Sequence, residues 1–341
     1  MRNILFITGS YPPDICGVGD YVSNILKSDI SKEKGFSLFY KEKWNIKYLL
    51  KYIDEILNTG SSYICLQYPT QGYGWSLLPH ILVAFFSIFT KKQTIVCLHE
   101  FSESSFKSKF CSCIFLLFGN KIVFTNEYEK EYASKLFPYM RKKIEVIKIC
   151  SNIVRTNNIK PLSEREYDFI YFGHIRPQKG IEEFLITMES LLENHPYLKI
   201  IIMGQVPKFY ENYADTIIKR CKALKINIKL NVSDNVVAEL LNSCKYAYLP
   251  FPDGVSERRG SFLACLNNGV LIATTKGKYT TKALSDTSFI VNKYVKDGIM
   301  TTMLNYTDQA YREKQFLGFR YLENEVPSSW NEIASLYNEL L

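Results

Sequence analysis

Tyr171-Phe172-Gly173-His174-Ile175-Arg176-Pro177-Gln178-Lys179-Gly180-Ile181 decides the fold of this chain. An apolar strand, Phe169 to Phe172, runs into a tight basic loop, and the clearest helix-period segment follows at once. That segment, Ile181 to Leu192, sets Phe184, Leu185, Met188, Leu191 and Leu192 on one stripe. A strand apolar throughout, rather than alternating, belongs in a parallel sheet covered on both faces. Such runs recur outward in both directions: Ile4 to Thr8, Tyr63 to Gln67, Thr94 to His99, Lys121 to Thr125, Ile144 to Ile149, then Lys199 to Met203, Ile226 to Val232, Tyr246 to Phe251 and Val270 to Thr274. Helix-period segments lie between them, one of them with Ser233-Asp234 as its cap and Val236, Val237, Leu240, Leu241 and Cys244 facing inward. Strand-helix alternation of this kind means βαβ units in a doubly wound α/β fold.

Length and composition agree. At about 150 residues per domain, 341 residues suggest two domains, and 47% hydrophobic with 22% charged residues describes a folded chain. Disorder, collagen and simple coiled coil are excluded. The periodicity is weakest from Asn152 to Glu166, where the reading places an inter-domain linker. It divides the chain into a first domain at 1–155, a second at 166–310 and a helical tail at 311–341. In that tail Trp330, Ile333, Ala334, Tyr337 and Leu341 fall at helical spacing and must dock somewhere. A net charge of +8 favours anionic partners. The basic residues form no run and the aromatics sit mostly in core strands, so nucleic acid is not expected. Nine scattered cysteines without CxxC spacing read as reduced core residues of a cytoplasmic protein. The apolar opening Ile4 to Thr8 flows into a turn, as a first strand does, and Trp75 to Thr90 is broken by Pro79-His80 and too short for a bilayer span.

Four segments carry candidate chemistry. After the first strand, Gly17 and Gly19 stand before a helix whose inner face is Tyr21, Val22, Ile25 and Leu26, so the loop can bring backbone N–H groups to an anion. His99, beside Glu100 at the tip of its strand, can hydrogen-bond a substrate hydroxyl or phosphate. Arg176 and Lys179 flank a helix start where a second phosphate would sit. The run Leu249 to Gly269 ends a core strand with Asp253, Ser256, Glu257, Arg258 and Arg259, and Gly260-Ser261 then open a small-residue helix suited to a diphosphate.

Together these strings resemble the GT-B glycosyltransferases, specifically the retaining, nucleotide-sugar-dependent enzymes of family 4. The resemblance spans nearly the whole chain, through Tyr11-Pro12-Pro13…Gly17-Val18-Gly19-Asp20-Tyr21, Leu66-Gln67-Tyr68, Leu98-His99-Glu100, Ser151-Asn152-Ile153, Gly173 to Gly180 and Pro250 to Gly269. It implies two Rossmann-like doubly wound domains facing a cleft, with the acceptor on the first, the donor on the second, and the last helix crossing back to the first. By resemblance Gly17 and Gly19 cover the donor phosphate, His99 lies near the transferred sugar and Lys179 holds the diphosphate. His174 stands where the family has an arginine, which makes Arg176 the replacement. The family's paired glutamates are missing. Ser256 and Ala264 occupy their places and Glu257 stands in for the first, so Arg258, Arg259, Gly260 and Ser261 become the diphosphate ligands in a Ser-x-Arg-Arg-Gly-Ser variant.

The implied activity is transfer of a sugar from a nucleoside-diphosphate sugar to a glycan or lipid-linked glycan in surface-polysaccharide biosynthesis, with retention. Cations rather than a metal would stabilise the leaving diphosphate, and no cofactor is expected. A nucleotide-sugar 2-epimerase and a catalytically silent nucleotide-sugar-binding protein stay open as alternatives. So does a peripheral contact with the inner membrane face through the segments Leu77 to Phe89 and Phe110 to Phe118, near Lys91, Lys92 and Lys121.

Overall fold

The structure, a computed structural model, describes residues 3–292 and 296–341. Met1 and Arg2, counted above into the first domain, and residues 293–295, counted into the second, lie outside the described residues. The chain forms two compact units: Met1–Ile149 with Ser329–Leu341, and Cys150–Ser328.

The first unit is laid out as β1 (Ile4–Thr8), α1 (Gly17–Lys27), α2 (Asp29–Glu33), β2 (Ser37–Tyr40), α3 (Leu49–Leu57), β3 (Tyr63–Tyr68), α4 (Leu78–Phe89), β4 (Gln93–Leu98), α5 (Phe106–Phe118), β5 (Lys121–Phe124), α6 (Glu127–Leu136) and β6 (Ile144–Val146). Its six strands are ordered β2-β1-β3-β4-β5-β6 and every pairing is parallel. The second unit runs β7 (Tyr167–Phe172), α7 (Ile181–Asn194), β8 (Ile200–Gly204), α8 (Glu211–Ala223), β9 (Asn227–Leu230), α9 (Asp234–Asn242), β10 (Cys244–Leu249), α10 (Gly260–Asn267), β11 (Leu271–Thr275), α11 (Lys282–Asp286), β12 (Phe289–Val291), α12 (Lys296–Leu304) and α13 (Asp308–Glu325). Its order is β12-β11-β10-β7-β8-β9, again all parallel. The strands are buried because both faces carry helices, which is why their sequences read as unbroken apolar runs. Phe169, Tyr171, Phe184, Met188 and Tyr248 anchor the second core; Ile7, Leu66, Phe86, Val96 and Phe115 belong to the first.

In each sheet the winding direction reverses once, between β1 and β3 in the first and between β7 and β10 in the second. Ligands of doubly wound sheets bind beyond the carboxyl ends of the strands at such reversals, because the connections depart to opposite faces there and leave a crevice.

Several expectations are corrected. Residues 152–166 are no free linker, since they are fastened into the second unit by Arg165, which is buried and donates to the carbonyls of Lys160 (3.0 Å), Cys244 (2.6 Å) and Asn268 (3.1 Å). Backbone N–H groups of Thr156 and Lys160 donate to the Asn268 and Asn242 side chains there as well. The tail does not act as one piece from 311. The hydroxyl of Tyr311 in α13 donates to the Lys245 and Gly269 carbonyls, so α13 stays with the second unit. Only α14 (Trp330–Glu339) joins the first, where Tyr337 is buried edge-on against Phe6 at 5.3 Å and accepts a 3.1 Å hydrogen bond from the Tyr21 hydroxyl. In α9, Val236 is exposed and Val237, Ala238 and Leu241 are buried, so the inward face is rotated by about one residue. Ser233 stands at the N-cap without a side-chain hydrogen bond.

Candidate active site

The second unit's reversal brings two of the singled-out loops together. Strands β7 and β10 are hydrogen-bonded neighbours, with Phe169 opposite Tyr246 and Ile170 opposite Ala247, so their loops leave the same edge side by side. The loop after β7 is held from below: the Gly173 N–H donates to the Met203 carbonyl (3.1 Å), the Ile175 N–H to that of Gln205 (2.8 Å), and the Tyr171 hydroxyl to that of Lys179 (3.0 Å). Ile175 is buried as its apolar anchor, leaving Arg176 and Lys179 half-buried on either side. Gly180 ends the loop in the left-handed region at φ 85°, and a Cβ there would collide with the Pro250 carbonyl oxygen. Only glycine satisfies both conditions, and this contact is what joins the two loops.

The loop after β10 is equally constrained. Val255 is buried, its N–H donating to the Thr275 carbonyl (2.9 Å) and its carbonyl accepting from the Thr280 hydroxyl (2.8 Å). Arg259 forms an ion pair with Asp253 and covers the Phe251 ring with its guanidinium 4.7 Å from the centroid. Arg258 lies 5.7 Å from the centroid of Tyr279. Aromatic contact of this kind fixes a guanidinium without neutralising it. Helices α7 and α10 both start here without a side-chain N-cap, so no side chain of their own occupies the first-turn amides. Around Gly260 there is open space for a Cβ.

His174 is neutral at pH 7. Burial pushes its pKa down to about 4, and the nearby Lys179 and Arg176 charges act in the same direction. The positive charge of this loop therefore rests on Arg176 and Lys179. Glu257 is buried; it lies near enough to Tyr321 of α13 that, after burial itself, it helps hold that phenol's pKa above the ordinary value. Ala264 is buried within α10.

In the first unit the reversal lies between β1 and β3, and α1 also begins without a side-chain cap. Its two glycines differ. Gly17 is exposed, with nothing within 4 Å of where a Cβ would stand, whereas a Cβ on buried Gly19 would lie 2.9 Å from the Ser10 carbonyl oxygen. Gly19 is explained by the close passage of α1 over the end of β1, and only Gly17 keeps its backbone open. His99 follows β4, buried, its Nε2 3.0 Å from Oε1 of fully buried Gln67 and its ring edge-on to Tyr21 at 5.2 Å. Since the Gln67 amide donates to Cys65 Sγ (3.1 Å), its carbonyl faces His99 and accepts from the Nε2 proton. An aromatic groove of about 650 Å3, lined by Trp44, Tyr73, Trp75 and Ile81 among others, opens in the same unit.

Two roles escaped the sequence reading. Gln67 stood in a strand and in the Leu66-Gln67-Tyr68 string of the resemblance, with no role attached to it. Glu129 went unremarked, although it stands three residues after Asn126 at capping-box spacing, and Asn126 Oδ1 accepts from its N–H (2.9 Å). Its carboxylate, however, is fully buried and accepts from the Ser102 N–H (2.7 Å) and hydroxyl (2.9 Å), pinning the loop that begins at His99.

Residues 154–253 match the family model described as Glycosyl transferases group 1. No curated protein sequence matches the chain. Among solved structures, Anabaena HepE in complex with UDP and glucose is 12% identical over 100% of both chains with a TM-score of 0.71. The fold is GT-B. A glycosyltransferase from Rickettsia africae aligns over 99% of this chain and 97% of its own at 15% identity and TM-score 0.67. The catalytic domain of starch synthase IV from Arabidopsis thaliana, bound to ADP and acarbose, aligns over 99% and 98% at 9% identity and TM-score 0.64.

Proposed function

We propose that this protein is a glycosyltransferase of the retaining family 4 type, moving a sugar from a nucleoside-diphosphate sugar to a glycan or lipid-linked glycan acceptor in surface-polysaccharide biosynthesis. The observation that carries the reading is the junction at Gly180 and Pro250, which assembles two uncapped helix starts and the cations Arg176, Lys179, Arg258 and Arg259 on one edge of the second sheet. That the similar Anabaena and Arabidopsis proteins hold UDP and ADP supports a nucleotide ligand, and the family-model match covers both β7 and β10.

As the bond between the sugar and the diphosphate breaks, negative charge accumulates on the leaving oxygen and positive character on the anomeric carbon. Fixed cations and amides that face that oxygen lower the barrier because they need no reorganisation at the moment of reaction. Arg176 and Lys179 meet the diphosphate from the β7 loop, with Arg258, Arg259 and the amides of Gly260 and Ser261 meeting it from the β10 loop. In the same proposal Gly17, with Gly19 setting the turn, lets the α1 amides approach the donor phosphate. His99, its Nε2 proton committed to Gln67, is assigned to the transferred sugar, and Glu257 to the catalytic place of the first family glutamate. No metal is assigned a role: the countercharge comes from the cations. A peripheral contact with an inner membrane face completes the proposal; among the described residues no helix is long and apolar enough to cross a membrane.

The test is a thermal-shift panel of UDP, GDP, ADP, dTDP and their sugar conjugates, with and without EDTA, on wild type and Lys179→Ala. A ligand at a hundredfold excess over its dissociation constant stabilises by about 2.7 kcal/mol. One nucleotide class should stabilise wild type and not the variant, regardless of EDTA. A flat panel removes the donor site.

A further inference from the structure

Helix α5 has an apolar face that nothing in its own unit covers. Its inner side packs normally, with Ser112, Phe115 and Leu116 buried and the Phe115 ring stacked on His80 of α4 at 4.2 Å. Phe106, Phe110, Ile114 and Leu117 recur at four, eight and eleven residues. At about 100° per residue they fall within one narrow stripe. That stripe points outward: Phe106 is 85% exposed, Phe110 73% and Leu117 54%. Single exposed apolar residues are ordinary, whereas an aligned row of large ones marks a surface that meets something apolar.

The charge around the row says what that is. Lys107 and Lys109 sit on the two margins of the stripe by the same helical arithmetic. At its far end the Lys143 ammonium donates to the Leu117 (3.2 Å) and Gly119 (2.9 Å) carbonyls, which brings the exposed Arg141 and Lys142 to the same end of the helix. No acidic residue occurs between Glu103 and Glu127, nor between Glu55 and Glu100. A self-complementary protein interface would pair such lysines with carboxylates; an anionic bilayer surface matches them as they stand, with phosphates for the lysines and acyl chains for the rings.

We propose that α5 docks this protein on an anionic membrane surface, with Phe106, Phe110 and Leu117 entering the headgroup boundary and Lys107, Arg141 and Lys142 contacting lipid phosphates. This deepens the peripheral-membrane part of the proposed function and narrows the two expected segments to the second, since Leu78, Leu82, Val83 and Phe86 of α4 are buried. Because α5 begins seven residues after His99, at the carboxyl edge of the first sheet, docking brings that edge to the level of a lipid-linked acceptor.

The experiment is co-sedimentation of the full chain with phosphatidylcholine vesicles and with vesicles containing phosphatidylglycerol, in low and high salt, without donor. Its failure is therefore distinct from failure of the donor site. Wild type should bind only the anionic vesicles, and salt should weaken the binding. Phe106→Ser with Phe110→Ser should lower partitioning about a hundredfold, each ring contributing about tenfold. Lys107→Glu with Lys142→Glu should lower it by at least about tenfold. Both variants alter exposed side chains and should keep the wild-type melting temperature. Absence of binding by wild type, or equal binding to the uncharged vesicles, overturns the proposal. So does concentration-dependent self-association in light scattering that the phenylalanine variants abolish, since the stripe would then be covered by a second copy.

Discussion

Adding a methyl group at Gly17 or at Gly19 separates a glycine kept open for a ligand from one required by packing. Both lie in the first turn of α1, so the intrinsic helix preference of alanine over glycine, at most about 1 kcal/mol, favours both substitutions. At Gly17 the new Cβ meets nothing within 4 Å, and Gly17→Ala should leave stability unchanged or raised by up to that amount. At Gly19 the Cβ would stand 2.9 Å from the Ser10 oxygen, 3.1 Å from the Ser10 carbonyl carbon and 3.2 Å from the Tyr11 nitrogen, all backbone atoms that cannot rotate away. Overpacking of this kind costs about 1–3 kcal/mol, so Gly19→Ala should be net destabilising by up to about 2 kcal/mol. Binding should reverse the ranking. If the amides above Gly17 meet the donor phosphate, a methyl in that space weakens UDP or its counterpart about tenfold, or about 1.4 kcal/mol, whereas Gly19→Ala folded well below its melting point should bind nearly normally. Urea unfolding and calorimetric titration of both variants give the two orders. Full donor affinity in a stable Gly17→Ala would refute the anion-facing reading, and an undiminished stability in Gly19→Ala would refute the packing argument.

The remaining predictions concern other parts of the two units. Gly180→Ala faces a positive φ and the Pro250 oxygen together, so it should destabilise by about 2–4 kcal/mol and abolish donor binding in the same thermal-shift panel; a stable variant with normal binding would break the link between the two loops. His80 is buried against Phe115 and Tyr68, and burial, partly offset by the Leu77 carbonyl, lowers its pKa from 6.5 to about 4. The unfolded chain therefore takes up a proton first as pH falls. Stability is full above about pH 6.5 and declines toward pH 4, by up to about 3 kcal/mol from this group. His174 adds to the decline in the same direction, and His80→Leu should flatten the urea midpoint against pH without removing the slope entirely. Gln67→Leu removes the acceptor that orients His99 and should slow transfer about tenfold at unchanged donor affinity, a split that initial-rate kinetics would resolve; equal losses in both would point to a folding defect instead.

What could be read in the sequence was whatever burial writes locally. Strands β7 and β10 are apolar from Phe169 and from Tyr246 onward because helices cover both faces, and their positions followed directly. Edge strands β2 and β12 did not, since Ser37–Tyr40 is only partly buried and Phe289–Val291 is three residues long. The loops at the sheet edges were legible as basic, glycine-punctuated turns. Their junction at Gly180 and Pro250 was not, because it depends on β10 lying beside β7 although residues 173–243 separate them in the chain. The same limit explains the misplaced linker: Arg165 reads as a polar residue in a polar stretch, and only the fold supplies the three carbonyls that bury it. Glu129 carried a real local signal, the capping pattern, that pointed to the wrong partner.

The return of α14 to the first unit bears on how the chain is made. Tyr337 hydrogen-bonds Tyr21 across 316 positions of sequence, the Tyr63 hydroxyl donates to the Leu341 carbonyl, and Asn331 accepts from the N–H of Asp29. During synthesis the sheet of the first unit emerges early, yet the surface around Phe6 and Tyr21 stays uncovered until α14 has left the ribosome. The second unit, whose residues are contiguous, can close while the first still waits. Translation order and completion order are thus opposed, and a nascent chain stalled before residue 330 would carry a finished C-terminal unit beside an N-terminal one lacking its last helix.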